Sequence, residues 1–195
     1  MSSREKSAKK FPKISNFKFS QEDYILYLLN QPALKEADFY RINKLAFFVE
    51  FGYIYKTSRE LTPLKYAGIN KGPVINDYTS LFAKMEAKGL IKISSGFKVS
   101  PLVKPSKNPP KDVRACIDSL IEEYASLSTS KLIALSHETD SYKIATENEE
   151  VMGAVIDKNL AHLEAFFEDS ADRLDETTVN ALPPVETELE AYAFG

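Results

Sequence analysis

The stretch from Asp38 to Lys56 constrains the fold most. Phe39, Ile42, Leu45, Ala46, Val49 and Tyr53 recur at the three- and four-residue spacing that places side chains on one face of an α-helix. Asp38 stands where a side-chain oxygen can accept the free N–H groups of the first turn. An apolar stripe this long must be buried. The chain has the material to bury it: 195 residues, 44% of them hydrophobic, with 12 Phe and 10 Tyr.

The other elements follow from caps, breakers and periodicity. Ser20-Gln21-Glu22-Asp23 has capping-box spacing, with Asp in the usual Glu position, and opens a helix through Leu29. Leu64 to Ile69 predicts a strand. Pro73 fits the first turn of a helix that runs to Lys88 and stops at Gly89, with Val74, Tyr78, Leu81, Phe82 and Met85 as its buried stripe. Leu90 to Ile93 and Phe97 to Val99 flank Ser94-Ser95-Gly96 as a hairpin. A proline-rich linker, Pro101 to Pro110, precedes a helix opened by Asp112 with Val113, Ile117, Leu120, Ile121 and Tyr124 inward. A short helix, Lys131 to Leu135, leads into a polar loop, Leu135 to Lys143. Thr146-Glu147-Asn148-Glu149 reads as a second capping box. It predicts a long helix over 147–169 with Met152, Val155, Ile156, Leu160, Leu163 and Phe167 inward. The sum is an α+β fold, mostly α-helical: a helical domain over 20–169 with a central strand and a β-hairpin.

The two ends read as flexible tails of opposite charge. Residues 1–19 carry Arg4, Lys6, Lys9, Lys10, Lys13 and Lys18 against Glu5, and residues 170–195 are acidic. The single cysteine, Cys116, leaves no disulfide framework and fits a reducing compartment. No apolar run is long enough to span a bilayer, and the N-terminus lacks the apolar stretch of a signal peptide. The expectation is a cytoplasmic protein without membrane contact.

Catalytic signatures are missing. There is no phosphate-cradling Walker loop and no Gly-x-Ser-x-Gly elbow. Two histidines and one cysteine, widely spaced, do not make a zinc site. Cys116 lies among Val113, Ile117 and Leu120 on an amphipathic helix, a packing position rather than that of an activated nucleophile. His162 sits among polar residues and reads as solvated. Ser136-His137-Glu138 are adjacent in sequence, and triads are assembled in space. His137 at a helix end instead suits the free carbonyls and the helix dipole. The expectation is a protein that is not an enzyme, with no cofactor and no metal.

Strand, helix and hairpin in the middle follow the order of a winged helix, whose second helix enters the major groove of DNA. Lys84, Lys88, Lys92, Lys98, Lys104, Lys107 and Lys111 against Glu86 would attract phosphates there. The exposed helix positions offer Asn76, Asp77, Thr79, Ser80 and Lys84, without an arginine for a bidentate contact to guanine. A DNA-binding regulator, acting on its own promoter, is the alternative reading.

Three segments carry a family resemblance. Ile42-Asn43-Lys44-Leu45-Ala46-Phe47-Phe48 resembles the x-x-K-L-L-Y-F helix of the Panacea domain, the SocA-like antitoxin family. Lys71-Gly72-Pro73-Val74, with the following helix to Lys88-Gly89-Leu90-Ile91, resembles its Y-G-P-V turn, helix and strand. Leu135-Ser136-His137-Glu138-Thr139-Asp140-Ser141-Tyr142-Lys143 is similar to its closing L-S-H-x-x-x-x-W-K signature. The match covers about residues 20–145. It departs at Tyr142, where the family more often has Trp, and at Lys71, where it has an aromatic. The resemblance implies an antitoxin that neutralises a cognate toxin, often encoded by an adjacent gene, by direct contact; copies also occur in prophages. It singles out Lys44, Lys71, Gly72, Pro73, Tyr78, His137, Glu138, Tyr142 and Lys143 as signature or toxin-binding positions. The acidic tail, with Tyr192 and Phe194, can steer a basic toxin or serve a protease.

Overall fold

The structure, a computed structural model, describes residues 14–35 and 37–167. Most of the expected basic tail, the last two residues of the expected final helix and the acidic tail lie outside the described residues. In chain order the elements are α1 (Gln21–Leu29), β1 (Ala37–Asp38), α2 (Phe39–Thr57), β2 (Tyr66–Ile69), β3 (Gly72–Ile75), α3 (Tyr78–Ala87), β4 (Ile91–Ser94), β5 (Lys98–Pro101), α4 (Lys111–Ala125), α5 (Thr129–His137), α6 (Asp140–Ala145) and β6 (Val155–Ile156). Short 3-10 turns at Lys158–Leu163 and Ala165–Phe167 follow. The fold is α+β and mostly helical.

The long helix α2 is the axis of the molecule. Asp38 caps it, accepting the Arg41 N–H at 2.8 Å. It is buried on every side rather than along one stripe: Phe47, Phe48 and Phe51 are as enclosed as Leu45 and Tyr53. The reason is the number of layers around it, since α1, α4, α5, β3 and the 158–163 turn all pack against α2. A helix apolar all round belongs inside. Gly52 lets α4 come close, because a Cβ there would lie 2.7 Å from Leu120 Cδ2.

Two small antiparallel sheets flank this helix. One has the order β1-β5-β4, with Val99 between Ala37 and Ile93. The other has the order β3-β2-β6, with Gly68 opposite Pro73 and Tyr66 opposite Ile156. The strand at 66–69 therefore does not join the β4–β5 hairpin, as the linear order suggested. The two-residue β1, just before α2, takes that place.

The structure departs from the sequence expectations in four places. Pro73 does not start a helix. It lies in edge strand β3, where a proline without an N–H is tolerated, and Asn70 and Lys71 form the turn from β2. The helix begins five residues later, after Asp77 in the left-handed region at φ 58°. The long helix over 147–169 is absent among the described residues. Glu147, Asn148 and Glu149 all have positive φ, which breaks the chain direction, and the expected core residues Met152, Val155 and Leu163 are exposed. Thr146 does accept the Glu149 N–H at 3.1 Å, but the bond closes a turn after α6. The polar loop from Leu135 is the end of α5, a break at Thr139, and α6. Residues 14–19 belong to the body: Phe19 is buried, and Arg59 Nη1 donates to the Ile14 carbonyl at 2.8 Å.

Candidate functional site

The signature residues meet where α2, β3, α5 and α6 converge. Two neighbouring side chains of α2 satisfy the backbone of edge strand β3. Asn43 Oδ1 accepts the Ile75 N–H at 2.8 Å, and Lys44 Nζ donates to the Pro73 carbonyl at 2.7 Å. A strand edge left bare would expose these groups. Lys44 is wholly buried, and burial holds its ammonium well below the ordinary lysine value. Lys44 thus works inside the fold, not on its surface.

Gly72 is the point of closest approach. Its φ of +83° suits glycine, and a Cβ there would run into Ser136 Oγ while meeting Lys44 Nζ at 3.1 Å and His137 Cδ2 at 3.2 Å. The Gly-Pro pair so lets β3 lie directly against the end of α5. Ser136 is buried, and its hydroxyl donates to the Ile133 carbonyl at 2.7 Å. It is not aimed at His137 as a nucleophile would be at its base.

Tyr142 fills the other side of this contact. It is buried, its hydroxyl donates to the Ile69 carbonyl at 2.9 Å, and its ring lies 4.8 Å from that of His137. Burial, and secondarily the charge of Glu149, pushes its hydroxyl up to about 12. His137 Nδ1 pairs with Glu149 Oε1 at 2.5 Å, while its Nε2 is buried without a hydrogen-bond partner. Glu138 and Lys143 form an exposed ion pair at 3.0 Å. Lys71 is half-buried at the β2–β3 turn. Tyr78 stands apart at the start of α3, edge-on to Phe39 at 5.9 Å, and burial raises its hydroxyl.

Several participants escaped the sequence reading. Glu164, two residues after His162, is buried and accepts the Asp140 and Ser141 N–H groups at 3.0 and 2.9 Å. It therefore caps α6 from a distant part of the chain; burial raises its carboxyl against these bonds. Glu50, on α2, is also buried. It accepts the Leu61 and Thr62 N–H groups and pairs with Lys158 at 2.8 Å. A carboxylate inside the run Phe47-Phe48-Val49-Glu50-Phe51 was the available signal. Cys116 is half-buried against the core, which raises its thiol. His162 is exposed.

The arrangement is a lock: side chains of one helix close the edge of a strand, and a tyrosine and a glycine seal the joint with two short helices. Among the described residues no group of His, Cys, Asp and Glu side chains is placed to hold a metal ion, and no helix is long and apolar enough to cross a membrane. A surface groove of about 520 Å³ lies elsewhere, between Lys18, Leu64 and Val155. No curated protein and no solved structure matches the chain. A family model does: that of the SocA-like antitoxins, Panacea domain, over residues 42–143, from the first turn of α2 to the middle of α6. With Lys44, Gly72, Pro73, His137 and Tyr142 all inside that match, and more than half of its length covered, the chain belongs to the SocA-like antitoxin family with a Panacea domain.

Proposed function

We propose that the chain is an antitoxin that neutralises a cognate protein toxin, encoded by an adjacent gene, through direct protein–protein contact in the cytoplasm. Family membership carries this reading. The geometry of the signature agrees with it, since Lys44, Ser136 and Tyr142 spend their polar atoms on backbone carbonyls of the fold and are not aimed at a shared reaction centre. Neutralisation by binding asks for a stable scaffold and an exposed complementary face, and needs no chemistry from the chain itself. The test is co-expression with the neighbouring gene product. Growth rescue together with a copurifying complex on size exclusion is the expected outcome. A toxic neighbour that is neither rescued nor bound refutes the proposal.

One observation favours a second reading. The order α1, β1, α2, α3, β4, β5, with β1 closing the β1-β5-β4 sheet, is that of a winged helix, although residues 58–77 carry the β2–β3 hairpin between its two central helices. Lys92 and Lys98 are exposed on the hairpin and Lys84 on α3. On this reading the chain binds its own promoter in a salt-sensitive way, and Lys92→Glu with Lys98→Glu weakens that binding. Retention unaffected by these changes removes it.

A further inference from the structure

Large hydrophobic side chains left in water are concentrated on one part of this molecule. Ile144 is 58% exposed, Val151 41%, Met152 36%, Val155 57% and Leu163 73%. Among the described residues only Leu102 and Val103 join them in the exposed class. The five belong to neighbouring elements, since α6 packs against both β6 and the 158–163 turn. The intervening loop is held to α6 by the Asn148 N–H on the Lys143 carbonyl and the Val151 N–H on the Thr146 carbonyl. β6 is an edge strand of its sheet. Exposed apolar side chains gathered on elements that pack together, on a protein otherwise well packed, mark an interaction surface.

The charges around it indicate what covers it. Glu138, Asp140, Glu147, Glu149, Glu150 and Asp157 lie in the same stretch, against the single Lys143 up to position 157. Lys158, the next cation, turns inward to Glu50. Beside Val155 stand Lys65 and Lys18, the latter paired with Glu60, so the frame is acidic along α6 and the 147–150 loop, and the partner surface that complements it there is basic. Position in the chain adds a second argument. All five apolar residues follow Lys143, where the family match ends.

Resting on the antitoxin reading, we infer that the face formed by α6, the 147–153 loop, β6 and the 158–163 turn is where this chain docks its toxin, through a basic surface of the toxin that carries apolar side chains. Ile144, Val155 and Leu163 supply the buried anchors, and the acids steer the encounter. A second copy of the chain would offer Leu102 and Val103 among Lys98, Lys104 and Lys107. That contact pairs two different surfaces head to tail, and without closure it grows into filaments.

The experiment titrates the full chain with the purified product of the neighbouring gene, for wild type and two variants, with thermal melts as folding controls. Ile144→Glu with Leu163→Glu is expected to weaken the complex at least about tenfold. Glu147→Lys with Glu150→Lys is expected to slow association several-fold at low salt, and less at high salt. If the wild-type complex forms and both folded variants bind within about twofold of it, the docking face is overturned while the antitoxin reading stands. If wild type forms no complex, both fall. Sedimentation of the chain alone supplies the remaining arm: self-association abolished by Ile144→Glu with Leu163→Glu assigns the face to a second copy and overturns the inference.

Discussion

Gly72→Ala tests whether the joint between β3 and α5 is as tight as its geometry implies. Two separate terms add. Alanine at φ +83° is held in the left-handed region, which costs about 1–2 kcal/mol. The new methyl group also overlaps Ser136 Oγ and presses on Lys44 Nζ and His137 Cδ2 at 3.1 and 3.2 Å. None of these can retreat easily, because Ser136 and Lys44 are fully buried and Lys44 is tied to the Pro73 carbonyl. Overpacking of this kind costs about 1–3 kcal/mol. The expected loss is therefore about 3–4 kcal/mol, a large share of the ~5–15 kcal/mol that holds a domain together. With a slope near ~2 kcal/mol per molar urea, the midpoint falls by about 1.5–2 M.

The two terms separate in a double-mutant cycle. Ser136→Ala removes the overlapping oxygen. Alone it is nearly neutral, within about 0.5–1 kcal/mol, since it gives up one bond to the Ile133 carbonyl and gains helix propensity. Placed on Gly72→Ala it should return about 1–2 kcal/mol, leaving the backbone strain. The assay is equilibrium urea unfolding of the four proteins by circular dichroism. A Gly72→Ala loss under about 0.5 kcal/mol refutes the close approach. Strict additivity in the cycle places the damage somewhere other than the Ser136 contact.

Two further outcomes follow from the buried ionisable groups. Lys158→Met leaves the fully buried Glu50 carboxylate with only the Leu61 and Thr62 N–H groups, and should cost about 3–5 kcal/mol at pH 7. Burial already raises the Glu50 carboxyl above 4.5 and Lys158 opposes that rise, so in the variant the penalty is absent below pH 4.5 and grows as pH climbs through the folded value; urea unfolding at pH 4 and 7 should show the smaller loss at pH 4, and equal losses count against the pair. Tyr142→Phe gives up the hydroxyl bond to the Ile69 carbonyl, about 1 kcal/mol at neutral pH. Its hydroxyl titrates near 12 when folded against 10 when unfolded, so its contribution is whole below pH 10 and lost between 10 and 12; thermal melts across that range should fall less steeply for Tyr142→Phe than for wild type.

What was legible in the sequence is what is decided locally. α1, α2 and the β4–β5 hairpin announce themselves by a cap, a period or a turn, and Ser20 and Asp38 make the bonds their positions promise. Pro73 misled because proline suits both the first turn of a helix and an edge strand, and only pairing with Gly68 decides between them. The 146–167 stretch misled because its apolar spacing fits a helix while its backbone reverses at Glu147 to Glu149. The positions of Lys44, Gly72 and Tyr142 could be named from the resemblance, but not that Lys44 is buried or that Tyr142 reaches β2. Glu149 on His137 and Glu164 on α6 are partners brought by folding, and no local rule supplies them.

The burial of the signature also bears on how recognition is divided. Lys44, Gly72, Pro73 and Tyr142 are enclosed, so each is fixed by packing and by backbone groups that must be satisfied. Changing any of them loosens the joint of α2, β3, α5 and α6 before it alters a surface. Substitutions at exposed positions away from such features usually move stability by no more than about 0.5 kcal/mol. Ile144, Val155 and Leu163 stand on that freer side, beyond the last residue of the family match. A scaffold built this way can keep one interior and vary its outer face, so the side chains that identify the domain need not be those that select the partner. Loss of binding at Gly72 or Tyr142 would then track loss of folding, whereas loss of binding at Ile144 and Leu163 would not.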